Sequence, residues 1–137
     1  MAKLIAKSIL GDENKVKFIP VTSANRISML NSKKVDMIIA TMTVTPQRSE
    51  VVEFSIPYYI TGQALLVPSD SKISSMSQLN GKKVIIVFGT TSERNLRFIA
   101  PEADIIGFKT YIKGYEALKA KHADAMTSDE TILMGLS

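Results

Sequence analysis

Apolar residues recur along the chain in short blocks whose period switches between that of a helix and that of a strand. Ala2 to Leu10 sets Leu4, Ile5 and Ile9 on one helical face, with Gly11 as a C-terminal stop. Val16 to Val21 alternates and predicts a strand. Ser23 then caps a helix running to about Ser32 that turns Ile27 and Leu30 inward. Val35 to Ala40 reads as a buried strand, and Thr45 followed by Pro46 has the form of a helix N-cap and first helical residue. From Val51 to Tyr59 the sequence is apolar but broken by Pro57, and Tyr58-Tyr59-Ile60-Thr61-Gly62 leads into a strand, Gln63 to Val67, closed by Pro68. That passage is the candidate crossover between two lobes, residues 1–61 and residues 62–137.

Beyond it, strand and helix keep alternating. Ser69 to Lys72 is polar and turn-like, and Ser74 to Leu79 predicts a short helix ended by Asn80-Gly81. Lys83 to Phe88 reads as a strand, and Gly89-Thr90-Thr91-Ser92-Glu93 turns into a helix that reaches Ala100 and stops at Pro101. Ala103 to Phe108 is another strand, followed by a helix near Lys113 to Lys121 with Leu118 inward. Ala123 to Thr127 is the last strand, and Asp129 caps a final helix through Leu136. Strands alternating with helices predict an α/β fold with largely parallel sheets. No repeat of fixed period and no low-complexity segment interrupts the pattern.

Composition narrows the function more than the fold. At 137 residues and 45% apolar content, the chain can bury one ordinary core or two small lobes. Its 17 Lys and Arg against 13 Asp and Glu give a net charge of +4. The basic residues are scattered, however, with few aromatics among them, which argues against nucleic acid as a partner. Without cysteine there is no disulfide framework, thiolate metal site or cysteine nucleophile. No run approaches the length of a membrane span, and the apolar region of Met1 to Leu10 is too short for a signal peptide.

Arg48 is the residue that local helix energetics would not choose. In the first turn after Thr45 it sets a cation against the positive end of the helix dipole, at a cost of roughly 0.3 to 1 kcal/mol. An anion should accompany it: either Glu50 or Glu53 in a surface ion pair, or a ligand carboxylate held bidentately. Thr90-Thr91-Ser92-Glu93 fits a capping box directly after a strand, and such a helix start also offers backbone amides to an anion. It lacks the glycine spacing and the lysine of a nucleotide-phosphate loop. Asp129, at a strand-to-helix junction, is either a cap or a carboxylate for an ammonium group. Thr41 and Thr43 follow a strand, at the edge where open parallel sheets bind ligands. His122, the only histidine, lies at a helix end with no Ser-His-Asp arrangement around it. The carboxylates show no metal-ligand spacing, and the seven methionines, among them Met29, Met37 and Met126, fall at apolar positions as core residues. No catalytic residue, metal or cofactor is expected.

Taken together, the segments SANRISMLNSKKVDMIIATMTVTPQRSEVVEFSIPYY, LNGKKVIIVFGTTSE and YEALKAKHADAMTSDE resemble the bacterial extracellular solute-binding proteins of polar amino acid ABC transporters. The resemblance runs through nearly the whole chain. It implies a periplasmic binding protein-like fold of type II, in which two α/β lobes with mostly parallel sheets close over an amino acid like a hinged clamp. It further implies that Arg48 holds the ligand α-carboxylate, with Thr90 and Thr91 at the helix start of the second lobe assisting through the amide and hydroxyl of Thr91. The carbonyl of Thr41 and the hydroxyl of Thr43 would meet the ammonium group, with Asp129 as its counter-charge. Phe88 and Ser128 would flank the cleft, and Arg26 or Arg94 would favour an acidic ligand. The implied partners are a polar amino acid and a membrane permease, in a periplasmic or membrane-anchored extracellular location.

Members of the family begin with a strand and loop ahead of the position of Ala2 and continue past that of Ser137. The resemblance therefore implies a truncated chain: residues 1–61 without the first strand of lobe 1, and residues 62–137 without the end of lobe 2 and the return to lobe 1. Open sheet edges and uncovered apolar faces then predict a homodimer or an exchange of elements between chains. Two rival readings stand beside the receptor. One is a dehydratase of the same two-lobed fold, with Glu93 and Asp129 as the available acid–base groups; the other is a sensory remnant that no longer binds.

Overall fold

The computed structural model describes residues 1–137. The N-terminal residues 1–61 form three helices, α1 (Ala2–Leu10), α2 (Arg26–Asn31) and α3 (Pro46–Ser49), and no strand. Helix α1 ends as its sequence dictates: Gly11 takes a left-handed φ of 74° and donates its N–H to the Lys7 carbonyl at 3.0 Å. Helix α3 begins on Thr45, whose hydroxyl accepts from the Arg48 amide, with Pro46 at the first position.

The start of α2 differs from expectation. The Thr22 amide donates to Asn25 Oδ1 at 2.7 Å and the Asn25 amide to Thr22 Oγ1 at 3.2 Å, a reciprocal brace that makes Asn25 the cap. Ser23 is thereby released from capping, and its hydroxyl meets the Tyr111 hydroxyl at 3.3 Å. The one buried residue of α2 is Arg26, only 4% exposed, while Ile27 and Leu30 are half-buried.

The strands predicted at Val16–Val21 and Val35–Ala40 do not form. A strand exists only through a ladder with a neighbour, and neither segment has one, so Phe18, Met37 and Ile39 stay exposed. Alternation reports which side chains suit burial; it is silent on whether a partner backbone is within reach. Of the sheets expected, one forms, and it is largely parallel with one antiparallel edge strand.

That sheet comprises β1 (Gln63–Leu66), β2 (Lys83–Val87), β3 (Asp104–Phe108) and β4 (Ala125–Asp129) in the order β1-β4-β2-β3. Strand β2 runs parallel to both β3 and β4, whereas the edge strand β1 is antiparallel to β4, with Gln63 opposite Asp129. Three helices, α4 (Ser92–Ile99), α5 (Tyr111–Lys119) and α6 (Glu130–Met134), and a 3-10 turn at Met76–Leu79 cover the two faces. Alternate residues of β2 serve opposite cores, as the period of a strand requires. Val84 and Ile86 pack with Leu79, Leu96, Ala100 and Ala125; Ile85 and Val87 pack with Leu118, Ala123, Met126 and Leu133. At about 1.5 to 3 kcal/mol for each fully buried large aliphatic chain, this two-sided packing is the main source of stability. Residues 1–61 bury only Ala6 among their apolar side chains, and Ile56, Tyr59 and Ile60 lie exposed on the approach to β1.

The helix after β2 leaves toward one face and the helix after β4 toward the other, since Leu96 of α4 and Leu133 of α6 belong to different cores. The C-terminal ends of these neighbouring strands therefore part into a crevice, the place where open α/β sheets take ligands.

Candidate functional site

Strand β2 ends at Val87 and the chain turns through Phe88 to Gly89, whose φ is +80°. The Gly89 carbonyl accepts from two guanidinium groups of the N-terminal part, Arg48 Nη2 at 3.0 Å and Arg26 Nη2 at 3.4 Å. Each arginine also holds the loop that carries the predicted threonines: Arg48 Nη1 donates to the Thr43 carbonyl at 2.7 Å and Arg26 Nη1 to the Thr41 carbonyl at 3.0 Å. Thr41, Thr43, Arg48 and the loop after β2 thus form one hydrogen-bonded group.

Neither guanidinium forms an ion pair. The ion pairs of the chain are Arg97–Glu93, Lys113–Glu116 and Lys121–Asp70, so Glu50 and Glu53 do not neutralise Arg48. Burial draws Arg26 below the ordinary arginine range and the neighbouring Arg48 adds to the shift. Arg48 is lowered by burial and then by Arg94. The carboxylate of Asp129 acts against both shifts, the direction that a negative charge gives. The Nε of Arg26 is buried without any partner, a donor that desolvation makes costly to leave unused.

The capping box predicted at Thr90–Glu93 is absent. The Thr90 hydroxyl turns back to donate to the Val87 carbonyl at 2.8 Å, and Glu93 is engaged by Arg97. Thr91, the residue before α4, has helical backbone angles and makes no side-chain cap, because a capping oxygen reaches the first-turn amides only from an extended residue. Asp129 does have an extended backbone, yet its carboxylate caps nothing in α6, so the capping explanation fails there too. It stands at the end of β4, on the same sheet edge as Gly89.

A polar network beneath this edge was not legible in the sequence. Gln63 Nε2 donates to Thr127 Oγ1 at 2.9 Å, Thr127 Oγ1 to the Ala64 carbonyl at 2.8 Å, and Asn95 Nδ2 to Gln63 Oε1 at 2.8 Å. It ties β1, β4 and α4 together behind the crevice. Beside Gly89, a cavity of about 230 Å³ opens between the two parts, lined among others by Ser23, Arg26, Thr41, Lys109 and Tyr111. A larger open hollow of about 610 Å³, with Lys83, His122 and Asp124, sits at the opposite edge of the sheet, away from every predicted ligand residue.

The α/β sheet with a crevice at its C-terminal edge has the fold of type II periplasmic binding proteins. The chain matches the model for bacterial extracellular solute-binding proteins, family 3, over residues 1–132, and it belongs to that family. It is 46% identical over 138 residues to a glutamine-binding protein of Geobacillus stearothermophilus, covering 100% of this chain and 53% of the relative. It is 48% identical to the ABC transporter glutamine-binding protein GlnH of Bacillus subtilis (strain 168), covering 100% of this chain and 50% of the relative. The crystal structure of a cysteine-binding protein from Campylobacter jejuni superposes with a TM-score of 0.90 at 40% identity, over 96% of this chain and 53% of that one. The chain spans about half the length of the relatives it matches.

Proposed function

We propose that this chain carries the amino acid clamp of an ABC transporter's solute-binding component, with residues 1–61 and 62–137 acting as two lobes around the crevice. One observation carries the reading: two guanidinium groups without an ion pair converge at Gly89, and the unpaired carboxylate of Asp129 stands on the same edge. A free amino acid, anionic at one end and cationic at the other, completes both. The remaining N–H groups of Arg48 and the backbone amide of Thr91, beside Thr90 at the start of α4, take the α-carboxylate. Asp129, the Thr43 hydroxyl and the second lone pair of the Thr41 carbonyl take the ammonium group. Arg26 and the adjoining cavity receive the end of the side chain, which favours an acceptor oxygen such as that of a carboxamide or carboxylate. The names of the two glutamine-binding relatives support the same ligand class. In this reading the protein is a non-catalytic receptor, works outside the cytoplasmic membrane, and hands its ligand to a permease.

Thermal denaturation with matched ligands tests it. L-Glutamine should raise the melting temperature, since a ligand at a hundred times its Kd stabilises the native state by about 2.7 kcal/mol. The α-amide, which lacks the carboxylate, and the deamino acid, which lacks the ammonium group, should do little. Equal shifts from all three, or none from any polar amino acid, overturn the proposal.

A further inference from the structure

Gly89 is gripped from residues 1–61 on two sides. Its carbonyl is the shared acceptor of Arg48 and Arg26, at 3.0 and 3.4 Å. Its Cα faces the Ser23–Ala24 peptide so closely that a Cβ would lie 2.5 Å from the Ser23 carbonyl carbon and oxygen and 2.6 Å from Ala24 Cα. Those obstacles are backbone atoms, which cannot swing aside as a side-chain tip can. Its φ of +80° adds a second demand for glycine, because an L side chain is strained in the left-handed region.

We propose that Gly89 is a positioning residue that sets the closed position of the clamp. The latch consists of a backbone carbonyl that both arginines share and of the space left by a missing side chain. This rests on the two parts moving as lobes, but the contact is within the chain and is measurable with no ligand present. Any side chain at position 89 is a wedge between the lobes. Gly81 is the matched control: its φ of +71° carries the same backbone strain, and a Cβ there meets nothing within 4 Å.

The natural chain has no cysteine, so Lys7→Cys in α1 and Met134→Cys in α6, both exposed positions, accept spin labels without further change. Pulsed dipolar spectroscopy then reads the distance between the parts, and calorimetry reads L-glutamine binding. Gly89→Ala should lengthen the distance distribution and weaken binding roughly tenfold or more, since apparent affinity scales with the closed fraction. Gly81→Ala should leave both readings at the wild-type values while lowering the melting temperature by a similar few degrees, on the order of 5 °C. Should Gly89→Ala fail to fold, the Arg26→Met/Arg48→Met double variant removes both donors and should lengthen the same distance. An unshifted distribution in Gly89→Ala, or in the double variant where Gly89→Ala is unfolded, overturns the latch. A wild-type chain that binds no amino acid overturns the receptor reading instead, and leaves the distance comparison intact.

Discussion

Replacing Arg48 by alanine separates recognition from folding, and the structure sets the scale of each effect. The guanidinium donates to the carbonyls of Thr43 at 2.7 Å and Gly89 at 3.0 Å. Hydrogen bonds from a charged donor contribute about 1.5 to 3 kcal/mol each. Both acceptors belong to exposed residues, however, so water replaces the donor when the side chain is removed. The desolvation that lowers the Arg48 pKa is relieved at the same time. The net loss of stability should therefore be about 1 kcal/mol, within the usual range for a surface-accessible hydrogen-bonding group. Loss of the carboxylate partner should cost about 3 kcal/mol of binding, or roughly 150-fold in Kd for L-glutamine. Arg48→Lys, which keeps the charge but not the planar pair of donors, should fall between. Urea unfolding of the free chain and calorimetric titration of the folded chain measure the two effects independently. A stability loss of about 3 kcal/mol or more, with affinity unchanged in the protein that remains folded, would make Arg48 a strut between segments and refute its role in binding.

Three further outcomes follow from the same geometry. Asp129→Asn should weaken amino acids roughly tenfold by calorimetry and leave simple carboxylates unaffected, because only the ammonium group loses its counter-charge. Leu96→Ala should cost about 2 to 5 kcal/mol in urea unfolding, since Leu96 is fully buried against Val84 and Ile86 and its removal leaves a cavity. Thr127→Val should cost about 1 to 3 kcal/mol in the same assay, because the half-buried amide of Gln63 and the Ala64 carbonyl each lose a hydrogen bond to the buried Thr127 hydroxyl, leaving Gln63 Nε2 only the longer one to the Ser92 carbonyl.

How much of this was legible depended on whether the decisive interaction was local. The stop at Gly11, the Thr45–Pro46 helix start, Leu118 turned inward and the strands around β2 follow from short-range rules, and they stand in the structure. The strands at Val16–Val21 and Val35–Ala40 failed because a ladder needs a partner that no local pattern reports. Caps failed at Ser23 and Thr90 for a different reason. Each hydroxyl found a better acceptor or donor, the Tyr111 hydroxyl in one case and the Val87 carbonyl in the other, the first of them far away in sequence. Arg48 was conspicuous because its sequence position set it in the first turn of a helix, although α3 proves to be four residues long and Arg48 falls in its last turn as well, so the dipole does not disfavour it there. Gly89 and Gln63 gave no such sign, since a glycine after a strand and a glutamine at the start of one are ordinary until their distant partners are seen.

The account rests on a zwitterion bridging Arg48 and Asp129, and calorimetric titration of the 137-residue chain with L-glutamine tests that most directly. Saturable heat at one ligand per chain, with affinity weakened roughly 150-fold by Arg48→Ala and roughly tenfold by Asp129→Asn, is the predicted result. Absence of saturable heat with glutamine and with the other polar amino acids, from a chain that is folded by its unfolding transition, would contradict it.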